Sequence, residues 1–153
     1  MKKMKRIKLT VAYDGTNYHG WQMQPNAVTV EGELNKAISE LTGEHIEVIG
    51  ASRTDAGVHA LGNVAVFDTE SRIPGEKFSY ALNQRLPEDI IIQSSEEVAL
   101  DFHPRYQECR KTYEYTILNR KFPLPEYRNT AHFDYGNLDV KAMQDACKAF
   151  IGE

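Results

Sequence analysis

The chain of 153 residues is long enough for one ordinary domain or two small ones, and its 41% hydrophobic content can fill a packed core. A formal net charge of −4, from 18 basic and 22 acidic residues, excludes a uniformly basic nucleic-acid-binding protein. The basic residues are nevertheless grouped. One group opens the chain and another follows residue 104: Lys2, Lys3, Lys5, Arg6 and Lys8; Arg105, Arg110, Lys111, Arg120, Lys121 and Arg128. A local basic face is therefore still expected.

Cysteine and histidine usage gives no sign of a metal or a disulfide scaffold. Cys109 and Cys147 lack metal-ligand spacing, and the five histidines are scattered and never form a pair at helical or strand spacing with a carboxylate or thiol nearby. No apolar run is long enough for a signal peptide or a membrane span. We expect a cytoplasmic protein that binds neither a metal nor a membrane.

The first strand and the first helix are indicated by two different periodicities. Apolar residues first alternate with polar or small ones, as in a half-buried strand, at Ile7, Leu9, Val11 and Tyr13. After Thr29, a helix N-cap residue type, they recur at helical spacing, at Val30, Leu34, Ile38 and Leu41. Gly43 then stands where a C-terminal glycine cap belongs.

The rest of the first 98 residues predicts two strands, a helix and a fourth strand. Ile46 to Ala51 and Leu61 to Phe67 are β-branched-rich runs that should pair as antiparallel strands. A helix carrying Phe78, Leu82 and Leu86 follows and closes at Pro87, and Ile90 to Ile92 form the last strand. This order predicts an α+β fold of the ferredoxin-like, split βαβ type, with one antiparallel sheet and both helices on one face.

A second α+β unit is predicted over residues 99–153. Tyr113, Tyr115 and Ile117 would share one face of a strand from Arg110 to Leu118, and a helix follows whose apolar stripe is Met143, Cys147 and Phe150. No strands follow to complete a second sheet. We therefore expect this unit to be incomplete and the chain to be truncated.

Two long connections, Asp14 to Val28 and Phe122 to Asn137, are predicted to lack regular structure and to form the walls of a cleft. The first contains aromatic and amide side chains suited to base stacking and to phosphate or base-edge contacts: Tyr18, His19, Trp21, Gln22 and Gln24. For Trp21 itself, the favoured interpretation is a buried residue that pins the loop.

The segment from Ser52 to Ala60 presents a guanidinium and a carboxylate, Arg53 and Asp55, at one sheet edge on a turn assisted by Gly57. Loops on rigid scaffolds often carry catalytic groups. The structural alternative is that Asp55 caps its own turn, Gly57 supplies a positive φ and Arg53 pairs with a neighbour. The residues alone leave both interpretations open.

The string Arg53-Thr54-Asp55-Ala56-Gly57-Val58-His59-Ala60 resembles the active-site signature of the tRNA pseudouridine synthase A family. Two further stretches resemble family motifs in order and spacing. They are Val11-Ala12-Tyr13-Asp14-Gly15 leading to Gly20-Trp21-Gln22, and Phe102-His103-Pro104-Arg105 leading to Arg110-Lys111-Thr112-Tyr113-Glu114-Tyr115. The resemblance thus runs from the first strand to about Tyr115.

This resemblance implies isomerisation of uridine to pseudouridine in the anticodon stem-loop of tRNA by a homodimer. Asp55 would be the catalytic aspartate, Tyr113 would stack on the target uracil, and Arg53 would help to hold the flipped nucleotide. The reaction breaks the bond from N1 to C1′ and joins C5 to C1′, so a carboxylate serves as nucleophile or proton acceptor and no cofactor is needed. The surroundings of the base are expected to be closed and mostly apolar.

The runner-up is a non-catalytic RNA-binding module, because ferredoxin-like sheets with exposed aromatics also bind single-stranded RNA. A hydrolase with paired carboxylates would need a second acid near Asp55. Asp14 is the nearest candidate by topology, but its Asp-Gly context is typical of a turn.

Overall fold

The computed structural model describes residues 3–152, so Lys2 of the first basic group lies outside the described residues. The chain divides into two compact units, Met1–Arg110 and Lys111–Glu153. The first contains, in chain order, β1 (Lys5–Tyr13), α1 (Val30–Thr42), β2 (Ile49–Gly50), β3 (Ala60–Thr69), α2 (Phe78–Asn83) and β4 (Ile90–Val98). The second contains β5 (Ile117–Asn119), β6 (His132–Asp134) and α3 (Val140–Cys147).

The first unit is built on an antiparallel sheet with the strand order β2-β3-β1-β4. In the central strand β1, alternate side chains are buried as the sequence predicts: Ile7, Leu9, Val11 and Tyr13. Val30 and Leu34 of α1 and Phe78 and Leu82 of α2 belong to the same apolar core. Burial of each such large side chain contributes about 1.5–3 kcal/mol, so this core holds the unit together. The fold class is therefore α+β.

Helix α1 begins and ends at the predicted caps. The Thr29 hydroxyl accepts a hydrogen bond from the Gly32 N–H at 3.2 Å. At the other end Gly43 has a φ of 72°, in the left-handed region that favours glycine, and its N–H bonds the Ser39 carbonyl. Local signals alone thus define both ends of this helix.

Three predicted elements have different lengths in the structure. The strand predicted over Ile46 to Ala51 shrinks to β2, because the N–H groups of Ile46 and Val48 bond Ser39 Oγ and Asn35 Oδ1 of α1 instead of a strand. The last strand instead extends beyond Ile92 to Val98, since β1 offers paired positions as far as Arg6. Helix α2 is shorter than predicted and ends at Asn83; Leu86 lies in a following turn.

The first unit also extends to Arg110, beyond the boundary at residue 98 expected from the sequence. Arg6 explains part of this extension. Its guanidinium bonds both carboxylate oxygens of Asp68, at 2.7 and 2.8 Å, and donates to the Phe102 carbonyl at 2.8 Å. The hydrogen bond to Asp68, against the opposing effect of burial, raises the pKa of Arg6. The segment after β4 is therefore tied to the sheet by long-range contacts.

The second unit differs from its prediction in two places. Its first strand is β5, so Tyr113 and Tyr115 precede the strand instead of lying on it. The connection from Phe122 to Asn137 is not structureless: it contains a short helical turn, Pro125–Tyr127, and β6, which pairs with β5 in parallel. The helix predicted at the end of this unit is present as α3 and is followed by a turn at Lys148–Phe150, so Phe150 lies outside the helix. Strand β5 is limited to the three residues that pair with β6, which explains why Tyr113 and Tyr115 lie outside it.

Candidate active site

The loop that carries the predicted carboxylate connects β2 to β3 and contains no regular strand or helix from Ser52 to His59. Its tip is a tight turn in which the Val58 N–H bonds the Asp55 carbonyl at 3.1 Å. Gly57 has a φ of +78° at the third position of this turn, where a left-handed conformation requires glycine. The predicted role of Gly57 is confirmed.

Asp55 and Arg53 both have exposed side chains on this loop. Within the described residues of the first unit, no hydrogen bond or ion pair holds either side chain, so Asp55 does not cap its own turn. The closed, apolar surroundings expected for the base are not formed by these residues either. The structure therefore presents an accessible carboxylate two positions from an accessible guanidinium.

The connection after β1 packs directly against this loop through backbone contacts. The Trp21 N–H donates to the Thr54 carbonyl at 2.9 Å, and the Gly57 N–H donates to the Tyr18 carbonyl at 3.2 Å. A Cβ atom on Gly20 would lie 2.6 Å from the Thr54 oxygen, and one on Gly15 would lie 2.0 Å from the Val58 oxygen. Only residues without a Cβ permit this approach. The connection after β1 and the Asp55 loop are therefore held together by their backbones.

The aromatic residues of this connection are structural. Trp21 is 1% exposed and Tyr18 is 6% exposed, so neither offers a face to a base. The Tyr18 hydroxyl donates to Asp89 Oδ1 at 2.5 Å, and burial, assisted by this carboxylate, raises the pKa of the Tyr18 phenol. The prediction of a buried Trp21 is confirmed, whereas the proposed stacking role of Tyr18 is wrong because its ring is needed in the core.

The Asp14 side chain stabilises a turn in its own segment. Its Oδ1 accepts hydrogen bonds from the Thr16 N–H at 3.0 Å and the Thr16 hydroxyl at 2.5 Å, and His59 Nδ1 lies 3.1 Å from the same oxygen. The bonds from Thr16 hold the pKa of Asp14 below its ordinary value. His59 Nδ1 also accepts from the Gly15 N–H at 2.9 Å. The bonds from Thr16 therefore keep the Asp14 carboxylate in its own turn, and His59 joins that turn to the Asp55 loop by accepting the Gly15 N–H.

Several residues hold the loop in a way that the sequence did not predict. On the buried side, the Tyr13 hydroxyl lies 2.7 Å from Thr54 Oγ1, and the Asn63 side chain bonds both the N–H and the carbonyl of Ser52. Beside β2, Arg105 Nε donates to the Gly50 carbonyl at 2.9 Å. Arg105 belongs to the family motif Phe102-His103-Pro104-Arg105, but nothing in the neighbouring sequence predicts its contact with Gly50.

Tyr113 lies in the second unit, just after the division between the units. Its side chain is 77% exposed, and Tyr115 is 80% exposed. Neither ring is buried in a core, so both have faces available for contact with a ligand.

Among residues 3–152, no group of three or more His, Cys, Asp or Glu side chains is placed to hold a metal ion. Over the same residues, no helix is both long and apolar enough to cross a membrane.

Comparison with known proteins identifies the family. The sequence profile of the tRNA pseudouridine synthase family matches residues 9–107, a range that includes Arg53 and Asp55. The tRNA pseudouridine synthase A of Acetivibrio thermocellus is 53% identical over 149 residues, covering 97% of this chain and 61% of the relative. The tRNA pseudouridine synthase A 2 of Clostridium perfringens is 52% identical over 150 residues, covering 98% and 62%. The chain belongs to the tRNA pseudouridine synthase family.

A relative from Caldicellulosiruptor saccharolyticus, also a tRNA pseudouridine synthase A, is 53% identical over 151 residues, covering 98% of this chain and 62% of the relative. The chain thus spans about three fifths of the length of the curated relatives it matches.

Proposed function

We propose that this protein is a tRNA pseudouridine synthase that isomerises uridine in the anticodon stem-loop of tRNA, with Asp55 as its catalytic carboxylate. One observation carries the proposal: the matched range of a synthase family contains an exposed carboxylate on a rigidly supported turn. A carboxylate without a structural partner in its own unit is available for chemistry at a sugar or a base.

The roles of the three residues follow from the reaction. Asp55 acts as nucleophile or proton acceptor while the N1 to C1′ bond breaks and the C5 to C1′ bond forms. Arg53 helps to hold the flipped nucleotide, and its exposed guanidinium suits a phosphate or a base edge. The exposed ring of Tyr113 stacks on the uracil and replaces part of the stacking lost on flipping, about 1–3 kcal/mol per base. No metal or organic cofactor takes part.

The scaffold we propose is the ferredoxin-like, split βαβ fold, as the catalytic domain. Strand order β2-β3-β1-β4 supports it, since the helix-linked strands β1 and β2 are separated in the sheet by β3. The shared core of α1 and α2 supports the placement of both helices on one face. The partners of the whole protein in this proposal are tRNA and a second copy of itself, in the cytoplasm.

The first test is substitution of Asp55 in the natural protein that carries this sequence. Asp55→Asn removes a reactive charge and little surface, so pseudouridine formation should be abolished while tRNA binding is retained. The matched control is Asp101→Asn, which changes an exposed aspartate elsewhere in the first unit and should keep wild-type turnover. Turnover of Asp55→Asn within about tenfold of wild type would contradict the role of Asp55.

The same assay separates the synthase from an RNA-binding module. A module would bind tRNA with the wild-type protein yet give no pseudouridine by mass spectrometry of the digested RNA. Product formation by the wild-type protein excludes that alternative.

The second test concerns Tyr113. Tyr113→Phe keeps the aromatic face and should keep most of the binding of target RNA, whereas Tyr113→Leu should weaken it by about 1–3 kcal/mol. Tyr135→Leu, at an 81% exposed tyrosine of the second unit, is the matched control and should bind like wild type. Equal binding by the two Tyr113 variants would mean that this ring does not stack on the substrate.

A further inference from the structure

We propose that Tyr13 and Asn63 are positioning residues that clamp the loop carrying Arg53 and Asp55 from its buried side. The inference rests on the proposed function, because it concerns the geometry in which the Asp55 carboxylate meets the substrate.

Asn63 holds the residue at the start of the loop at both of its backbone polar groups. Its Oδ1 accepts from the Ser52 N–H at 3.2 Å, and its Nδ2 donates to the Ser52 carbonyl at 3.0 Å. The side chain is buried, so an amide placed here must find partners inside the fold. Two bonds from one planar group fix both the position and the orientation of the Ser52 peptide groups.

Tyr13 holds the residue between Arg53 and Asp55. Its hydroxyl lies 2.7 Å from Thr54 Oγ1, and Asn63 Nδ2 approaches the same hydroxyl at a longer 3.4 Å. The amide nitrogen can only donate, so the hydroxyl accepts from Asn63 Nδ2 and is free to donate its proton to Thr54. Burial raises the pKa of the Tyr13 phenol despite the opposing hydrogen bonds, so the phenol keeps this proton at neutral pH.

Tyr13 and Asn63 lie on the same side of the sheet, because Asn63 pairs with Val11 and side chains two positions apart on a strand share a face. Val11 pairs with Asn63 but Tyr13 pairs with Ala60, so β3 has one residue more than β1 between these pairs. Tyr13 and Asn63 are both buried, and Leu61, inside the bulge, is 94% exposed. Bulges are frequent next to functional sites, and this one lies where β3 begins, directly after the Asp55 loop.

The clamp matters for Asp55 and Arg53 because no side-chain contact within the described first unit orients them. Asp55 and Arg53 are exposed, and the described residues of the first unit hold neither through its side chain. Their direction is therefore set by the backbone, which the clamp fixes at Ser52 and Thr54. A misplacement of about 1 Å in a reacting group can cost on the order of a hundredfold in rate.

The experiment compares kcat and KM for tRNA in variants of the natural protein that lose clamp bonds. Tyr13→Phe and Thr54→Val each remove one hydroxyl and should lower kcat by about ten- to a hundredfold with little change in KM. Thr54→Ser restores the hydroxyl and should recover most of the kcat. The double variant Tyr13→Phe/Thr54→Val should be no slower than the slower single variant, because both changes break the same bond.

Asn83 provides a matched control for Asn63. Its side chain also bonds both the N–H and the carbonyl of one residue, Ile92, at 2.7 and 2.9 Å, but away from the Asp55 loop. Asn63→Ala and Asn83→Ala thus lose the same kind of contact. We expect Asn83→Ala to lower the melting temperature and keep kcat, and Asn63→Ala to lower kcat as well.

Wild-type and Asp55→Asn proteins measured in parallel separate the two proposals. An inactive wild type overturns the proposed function. An active wild type with kcat equal in all clamp variants, or with kcat lost equally in Asn63→Ala and Asn83→Ala, overturns the positioning role. Loss of kcat in the clamp variants with recovery in Thr54→Ser supports it.

Discussion

The contact between Gly50 and Trp21 offers a sharp test of how the loop is supported. A Cβ atom on Gly50 would lie 2.5 Å from Trp21 Cε2 and 2.6 Å from its Nε1 and Cζ2. The indole is buried, and its ring lies against that of Tyr13 with 5.9 Å between ring centroids. It therefore cannot withdraw without disturbing the core. We expect Gly50→Ala to destabilise the protein by about 1–3 kcal/mol, the usual cost of overpacking.

The second variant, Trp21→Phe, distinguishes steric overlap with the indole from other causes of the destabilisation by Gly50→Ala. Phenylalanine lacks the fused second ring of the indole, so it leaves room for the added methyl group. Trp21→Phe alone should cost stability through lost burial, but Gly50→Ala should cost less in its presence. The coupling free energy should be about 0.5–3 kcal/mol in favour of the double variant.

The assay is urea unfolding of all four proteins followed by circular dichroism, because Trp21 is the sole tryptophan and its fluorescence is lost on substitution. Midpoints should shift while the slope m stays constant. If the free-energy change of the double variant equals the sum of the two single changes within about 0.5 kcal/mol, the steric explanation is refuted. Additivity would show that the two side chains do not compete for the same space.

Three further predictions concern acid stability, a helix cap and salt. Hydrogen bonds from Thr16 lower the pKa of Asp14 from its ordinary value of 3.8, so the stabilising contribution of Asp14 is present above that value and is lost as pH falls through the folded-state pKa. Asp14→Asn should therefore reduce the loss of unfolding free energy measured below about pH 4. An equal dependence of stability on pH in the variant and the wild type would contradict this role of Asp14. Thr29→Ala should cost about 1 kcal/mol in urea unfolding, because it removes the acceptor for the Gly32 N–H. Binding of tRNA should weaken steeply with added salt despite the net charge of −4, and a flat plot of log affinity against log salt would show that the basic groups do not contact phosphates.

Local patterns in the sequence were sufficient for the features that depend on neighbouring residues. The alternation in β1, both caps of α1 and the glycine turn after Asp55 are confirmed, because each is decided by residues within a few positions of one another. The Asp55 loop could be placed between two strands for the same reason. The catalytic roles of Asp55, Arg53 and Tyr113 stay predictions.

Only the tertiary structure decided how that loop is held and where the pairing of strands stops. The Tyr13 hydroxyl meets Thr54 across 41 positions of the chain, and Asn63 meets Tyr13 across 50. The extent of β4 depends on the length of β1, and the brevity of β2 depends on side chains from α1. Backbone polar groups accept whichever buried partner the fold brings to them, and a sequence pattern does not record which partner that will be.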